Sequence, residues 1–233
     1  MIQYEVVTLS GRTITGLCAR AGGDTPAVQE TVGTLWDRFL RSGAREQLNA
    51  VPDAPCYGLY TRYRLDDESY DAVVGCESDI CPDGFCQVTI PAGEYARFSL
   101  RGPVRRVVAD AWREIWSLPL PRAYTVDFEE YGPVDENGVG EVCIYLALAD
   151  ICQSCGMPMT QAADHGSESG GALSRDYCRH CRQDGAFTWD CGMEEMIDFC
   201  LRSAPELYQD RERSRALMRG YFPTLRRWQP AGR

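Results

Sequence analysis

Cys152-Gln153-Ser154-Cys155 and Cys178-Arg179-His180-Cys181 are two Cys-x2-Cys pairs joined by a polar stretch, and they divide the chain. Two residues between thiols let the backbone amides of a tight turn support both sulfurs. Two such turns facing each other make the tetrahedral four-sulfur cage that Zn2+ prefers. The pattern predicts one structural zinc per chain, held by Cys152, Cys155, Cys178 and Cys181, with no coordination position left for a reacting water. A thioredoxin-like redox site is the rival reading, but it needs one such pair ahead of a helix, not two. Residues 162–174 between the pairs are rich in Gly, Ser, Asp and His. They hold too few apolar side chains to order themselves, so the metal is expected to hold their ends, and residues 151–233 are expected to have little core of their own.

The composition is that of a globular chain: 233 residues, 44% hydrophobic and 25% charged, leave room for one good core and a small appendage. The start, Met1 to Glu5, carries no basic segment ahead of an apolar run, and no stretch of about 18 apolar residues follows anywhere. A cytoplasmic protein without a membrane segment is therefore expected, and its 12 cysteines are read as thiols and metal ligands, not disulfides. The formal charge of -10 is unevenly placed: residues 1–150 hold 13 Arg against 23 Asp and Glu, while residues 151–233 hold 11 of each sign. An acidic first part repels a phosphate backbone and attracts organic cations, so a small-molecule ligand is expected and direct nucleic-acid binding is not. Solubility alone is the plainer reading of the same charge. The absence of lysine is a compositional bias with no functional content.

Hydrophobic periodicity orders the first part. Strands are expected over Tyr4 to Leu9 and Arg12 to Ala19, then a helix carrying Val28, Val32, Leu35, Trp36, Phe39 and Leu40 and ended by Gly43. Strand-like runs follow at Cys56 to Tyr63 and Tyr70 to Cys76. The order then recurs: a strand over Tyr95 to Arg101, a helix opened by Gly102-Pro103 and carrying Val104, Val107, Val108, Ala111, Trp112, Ile115 and Trp116, and strands over Tyr124 to Tyr131 and Glu141 to Leu148. The fold class read from this is α+β, with two pseudo-symmetric strand-helix-strand-strand repeats around a ligand groove, followed by a small zinc-ribbon domain with short helices. The proposed division is 1–150 and 151–233. Tyr57, Tyr63, Tyr95, Trp116 and Tyr131 fall where the halves should meet and are candidates to line the groove, although each also suits a plain core.

Asp127-Phe128-Glu129-Glu130-Tyr131 sets the chemistry of that groove. Alternation on a strand places Glu129 and Tyr131 on one face and Phe128 and Glu130 on the other. If Phe128 packs into the helix layer, Glu129 faces away from it, at the floor of an aromatic groove. There its carboxylate attracts an organic cation or serves as a general base with a raised pKa. A solvated edge carboxylate is the alternative reading.

Ile90-Pro91-Ala92-Gly93-Glu94-Tyr95-Ala96-Arg97-Phe98, the Gly102-Pro103 helix ending in Ile115-Trp116, and Phe128-Glu129-x-Tyr131 resemble the GyrI-like family, the effector-binding domain of multidrug-sensing regulators. The resemblance covers about residues 1–150. It implies the duplicated fold, a ligand groove faced by the acid at Glu129, and an aromatic at Trp116. Beyond it, Cys152 to Met159, Tyr177 to Gly185 and Phe222 to Trp228 resemble a small zinc-ribbon domain, with short helices expected over Met193 to Leu201 and Glu212 to Tyr221. The spacing of Cys76, Cys81 and Cys86 leaves open a second metal site, against the commoner reading of unpartnered thiols.

Three functions follow from this reading. The first is a binding protein that captures a hydrophobic, cationic or planar compound such as a drug or toxin through Glu129, Trp116, Tyr131, Tyr57, Tyr63 and Tyr95. The second, implied by the family, is a hydrolase of electrophilic cyclopropane-containing genotoxins in which Glu129 and Tyr131 are catalytic. The third is a regulatory module that meets a protein partner, with the zinc ribbon as the contact.

Overall fold

The computed structural model describes residues 2–22, 25–51, 54–64, 67–205 and 207–229. The chain forms two units, Met1–Tyr63 with Ser69–Leu148, and Arg64–Glu68 with Ala149–Arg233.

The first unit runs β1 (Glu5–Leu9), β2 (Arg12–Ala21), α1 (Thr25–Arg41), α2 (Ala44–Gln47), β3 (Cys56–Arg64), β4 (Ser69–Glu77), β5 (Cys86–Ile90), β6 (Gly93–Pro103), α3 (Val104–Ile115), β7 (Val126–Val134) and β8 (Val139–Ala147). All eight strands join one curled antiparallel sheet in the order β1-β6-β8-β7-β3-β4-β2-β5. Read outward from the β7–β3 pair, the order is the same in both directions, β8-β6-β1 on one side and β4-β2-β5 on the other. The duplication expected from element order is thus a pseudo-twofold about the β3–β7 seam. Strand β5 was not foreseen; its residues pair with Arg12 to Gly16 as the edge partner of β2.

The α1 side of the helix face holds Leu35, Phe39, Ala21, Ala72 and Val74, and the α3 side holds Ala111, Ile115, Phe98, Ile144 and Leu146. The opposite face is an aromatic layer in which Phe128 stacks on Tyr145 at 4.4 Å and meets Tyr95 at 5.7 Å and Tyr57 at 6.3 Å. Strands buried on both faces lose the polar-out alternation that marks a one-sided sheet.

The second unit runs β9 (Asp150–Ile151), β10 (Pro158–Met159), β11 (His165–Ser167), β12 (Leu173–Cys178), β13 (Arg182–Gln183), β14 (Ala186–Phe187), α4 (Met193–Ser203) and α5 (Arg211–Tyr221). Two sequence expectations need correction here. Residues 162–174 are not an unordered loop, since β11 and the start of β12 form an antiparallel hairpin across it, held by backbone hydrogen bonds that apolar content does not predict. The unit also has a core of its own, in which Met159, Met196, Ile197, Leu201, Met218, Phe222 and Leu225 pack around the buried Cys152, Cys178 and Cys181.

Where β2 crosses β4, Gly16 lies directly opposite Gly75. A Cβ on Gly16 would overlap the Val74 carbonyl, and one on Gly75 the Thr15 carbonyl, so the two backbones approach more closely than any other residue allows. Gly33, in the middle of α1, has open space around it. Gly16→Ala is expected to cost about 1–3 kcal/mol through overpacking, and Gly33→Ala to gain about 0.5–1 kcal/mol through helix propensity. Urea unfolding followed by tryptophan fluorescence checks both signs.

Candidate effector groove and metal centre

The seam between the repeats fixes the central acid. In the β3–β7 register Gly58 lies opposite Glu129, and in the β7–β8 register Ile144 does. Gly58 makes the room: a Cβ there would sit 3.0 Å from Glu129 Oε2 and 3.3 Å from the Trp36 ring. The Glu129 side chain is 1% exposed. Trp112 Nε1 of α3 donates to Oε1 at 2.5 Å and Tyr131 Oη donates to Oε2 at 2.6 Å, and the Tyr60 hydroxyl lies near enough to act on the carboxylate's pKa. Rings from both helices close around it, with Trp36 of α1 at 4.7 Å from Tyr131, and Tyr60 at 5.6 Å from Trp112 and 5.4 Å from Tyr70. Among the described residues Glu129 makes no ion pair. Burial pushes its pKa above the usual carboxylate value in spite of Tyr131, Trp112 and Tyr60, which pull it down. The carboxylate in turn raises its neighbours: Tyr131 and Tyr60 lie well above the usual phenol value and Tyr70 is pushed up to about 12, in each case through burial first and Glu129 second.

Two residues along β7, Asp127 is fully buried on the same face as Glu129 but is satisfied differently. Arg122 pairs with it, Tyr63 Oη donates at 2.8 Å and the Ala147 amide at 2.8 Å. The Arg122 guanidinium is held between Tyr124 and Trp116, at 4.5 and 4.7 Å from their ring centroids. This seam therefore holds two buried acids, one neutralised by the chain's own cation inside an aromatic clamp and one not.

The geometry revises the expected arrangement. Glu129 faces the helix layer and Phe128 faces away from it, the reverse of the sequence reading, because both helices lie on the side of the sheet where their indoles can reach the carboxylate. Of the groove candidates, Tyr131 touches Glu129. Tyr63 serves Asp127, and Trp116, 58% exposed, covers Arg122. Tyr57 and Tyr95 are separated from Glu129 by strand alternation and belong to the Phe128 layer, where Arg12 Nη1 donates to the Tyr57 hydroxyl at 3.2 Å. Gly58, Trp36, Tyr60, Tyr70 and Trp112 were missed. One signal was available: Leu35-Trp36-x-x-Phe39 and Ala111-Trp112-x-x-Ile115 place a tryptophan at the same point of the two helices. An indole N–H on an otherwise apolar stripe calls for an acceptor. A separate cleft of about 570 Å3, lined by Arg38, Arg41, Asp83 and Phe85 among others, does not include Glu129.

In the second unit the sulfurs of Cys152, Cys155, Cys178 and Cys181 all lie within 4.8 Å of one another. Cys155 and Cys178 are 3.7 Å apart, and a tetrahedral metal with bonds of about 2.3 Å to sulfur sets its ligands about 3.8 Å apart. The donor set fits. The Cys178 amide donates to Cys152 Sγ at 3.3 Å, as metal-binding turns do. Gly156, at φ 75°, closes the first turn in the left-handed region. His180 is not among these ligands.

Comparison with known proteins identifies the first unit. The family described as "Integron-associated effector binding protein" matches residues 5–148. The chain belongs to that family. The family described as "Putative zinc ribbon domain" matches residues 151–229. The effector-binding unit is 29% identical over 157 residues, 62% of this chain and 96% of the relative, to "Putative transcriptional regulator protein YobU" of Bacillus subtilis (strain 168). Among solved structures it is similar to the integron cassette protein VCH_CASS2 from the mobile metagenome of Vibrio cholerae, with 27% identity, a TM-score of 0.51, and coverage of 62% of this chain and 94% of that one. SAV2435, solved with bound tetraphenylphosphonium, shares the fold at 17% identity and a TM-score of 0.52 over 62% of this chain and 93% of that one. The GyrI-like effector-binding fold with a C-terminal zinc ribbon, as read from the sequence, is what the chain has. Among the described residues no helix is long and apolar enough to cross a membrane.

The raised Glu129 pKa has a sign that can be checked. The folded chain holds this proton more tightly than the unfolded chain, so the stability linked to it is present in full below the ordinary carboxylate value of 4.5 and is lost as pH rises through the raised one. In the unliganded protein Glu129→Gln is expected to remove this loss. Thermal melts of both proteins across that pH window should therefore diverge upward in favour of the variant, and superimposable profiles would show the carboxyl to be unperturbed.

Proposed function

We propose that this effector-binding unit captures a hydrophobic monocation, drug or toxin, between α1 and α3, with Glu129 as its counter-charge. One observation carries the proposal: a buried carboxylate ringed by Trp36, Tyr60, Tyr70, Trp112 and Tyr131 that has donors but no cation. Holding a carboxylate out of water costs several kcal/mol, which a partner charge offsets. Aromatic faces attract the same partner. SAV2435, a protein of this fold, carries tetraphenylphosphonium, a cation of that class. Trp112 and Tyr131 already bond to Glu129, so a bulky ligand enters by parting the indoles of Trp36 and Trp112 and takes over the role of counter-charge as it does so. In this reading the protein is a cytoplasmic sensor or sequestering agent, and its ribbon holds zinc and offers a protein-binding surface. No contact with nucleic acid is needed.

Titration with tetraphenylphosphonium, followed by calorimetry and by tryptophan fluorescence, tests the groove. Binding is expected to strengthen as pH rises through the raised pKa of Glu129, because the cation requires the ionised carboxylate. Glu129→Gln should weaken it by about 1–3 kcal/mol, roughly tenfold to a hundredfold. Tyr95→Phe, on the opposite face, should leave it unchanged. Equal affinity in Glu129→Gln would remove the acid from the mechanism.

The Tyr131–Glu129 hydrogen bond also suits the hydrolase alternative, in which the carboxylate activates water against a strained ring. Turnover of a cyclopropane-containing electrophile that Glu129→Gln abolishes, with binding less affected, would favour that reading.

For the ribbon, elemental analysis of protein purified without chelator should find one zinc per chain. Cys178→Ser should lose it and lower the melting of residues 151–233 while the Met196 and Phe222 core retains helical signal. Metal-free wild-type protein would overturn the assignment.

A further inference from the structure

Cys76, Cys81 and Cys86, whose spacing left open a second metal site, are not brought together: among the described residues the one group of three or more ligand atoms close enough to hold an ion is the ribbon's four sulfurs. The seam of the first unit carries more. Its two buried acids, Asp127 and Glu129, are set about 6.6 Å apart by two residues of β7, and α3 meets them with two tryptophans, Trp112 and Trp116, set about 6 Å apart by one turn. Trp112 bonds to Glu129, and Trp116 covers the guanidinium that neutralises Asp127. Rings join the two places. Trp112 lies 5.7 Å from Trp116 on one wall, and on the other Tyr60, Tyr70 and Tyr63 follow one another at 5.4 and 5.8 Å, with Tyr124 at 5.6 Å from Tyr63. The seam is one aromatic track with two acids on it, and Arg122 fills the place beside the second.

We propose that Arg122 is the resident occupant of a second organic-cation subsite, and that by filling it Arg122 limits the groove to ligands with a single positive charge; the part about ligand charge rests on the reading of Glu129 as counter-charge. The guanidinium is held by ring faces and a carboxylate more than by its fork of donors. It lies 4.5 Å from the Tyr124 centroid, 4.7 Å from Trp116 and 5.9 Å from Tyr63, against Asp127, while its Nε is buried without an acceptor. An ion pair built for the guanidinium itself uses the whole fork, whereas a planar or quaternary cation needs only faces and a counter-charge. Tyr124 brings its ring to this place from φ 52°, a left-handed conformation that costs free energy in any residue with a Cβ. The way in is short. Trp116, one wall of the clamp, is mostly exposed, and the Arg122 backbone is held to Leu148 by an isolated bridge, so the side chain can leave Asp127 without unzipping a strand. A ligand whose two charges reach both acids meets Arg122 at the second one and is repelled, while a monocation at Glu129 does not need that place. Selection for one charge thus combines an attractive acid with a repulsive arginine.

The first arm of the test reads the subsite alone, by thermal melting of the full chain. Arg122→Ala empties the clamp and leaves Asp127 without its cation, so the variant should melt below the wild type. Millimolar methylguanidinium at fixed ionic strength should raise that melting temperature by more than it raises the wild type's, because it binds only the folded clamp. Methylurea, its neutral isostere, should not. Arg122→Ala combined with Asp127→Asn removes both charges, and it should fold yet gain no more from the cation than the wild type does. An Arg122→Ala protein that methylguanidinium does not stabilise, or that fails to fold with the cation present, would reduce Arg122 to a structural ion pair and overturn the proposal. The second arm compares, by calorimetry, pentamethonium, a bis-quaternary ammonium with a five-carbon spacer, and pentyltrimethylammonium. Wild type should bind the dication no more tightly than the monocation, and Arg122→Ala should shift that ratio toward the dication about tenfold or more. An unchanged ratio, or a wild type that prefers the dication, would overturn the claim on ligand charge. The rescue does not involve Glu129, so rescue without binding of either ammonium probe would uphold the subsite and count against Glu129 as counter-charge.

Discussion

The Glu129 carboxylate is bonded to Trp112 and Tyr131, with Trp36 packed on Tyr131, and the architecture of the first unit converges on it. The acid sits on the strand pair through which the pseudo-twofold passes, so each repeat supplies one helix and one indole to it. Removing water from a carboxylate is costly, and its hydrogen bonds return only part of that cost. The remainder appears as the raised pKa. In the proposed reading, such a group holds affinity for a cation in reserve. The helix positions, the gap at Gly58 and the aromatic rings all converge on that one carboxylate.

Asp127 shows what satisfaction looks like in the same environment. It is as buried as Glu129 and two residues away, but Arg122 neutralises it from within a clamp formed by Trp116 and Tyr124. A guanidinium between two rings and against a carboxylate is the arrangement that a ligand cation would find beside Glu129. The contrast between the two acids, and not the overall charge of -10, is what gives the groove a definite chemistry.

In the second unit, metal ligands and hydrophobic core are one structure. Cys152, Cys178 and Cys181 are themselves buried among Met196, Ile197, Leu201 and Phe222, so the four-sulfur cluster closes the core as well as the turns. Release of a metal held there would expose apolar surface as well as thiols, and would couple metal affinity to folding more tightly than two surface turns could.

The sequence by itself determined what is local or periodic. The Cys-x2-Cys turns, the two amphipathic helices and the repeated element order follow from fixed spacings, and the motifs around Tyr95 and Glu129 carried the resemblance to the effector-binding family. Alternation also separated Glu129 and Tyr131 from Phe128 correctly. Which of those faces meets the helices was not in the alternation, since a period of two distinguishes two sides but names neither. That choice belonged to the tertiary structure, as did every neighbour that arrives from a distant strand or helix: Trp36, Tyr60 and Trp112 around Glu129, Arg122 on Asp127, and the β2 strand that brings Cys18 diagonal to Cys86. Each of these depends on strand order, β7 beside β3 and β2 beside β5, and strand order is decided by the packing of the whole sheet.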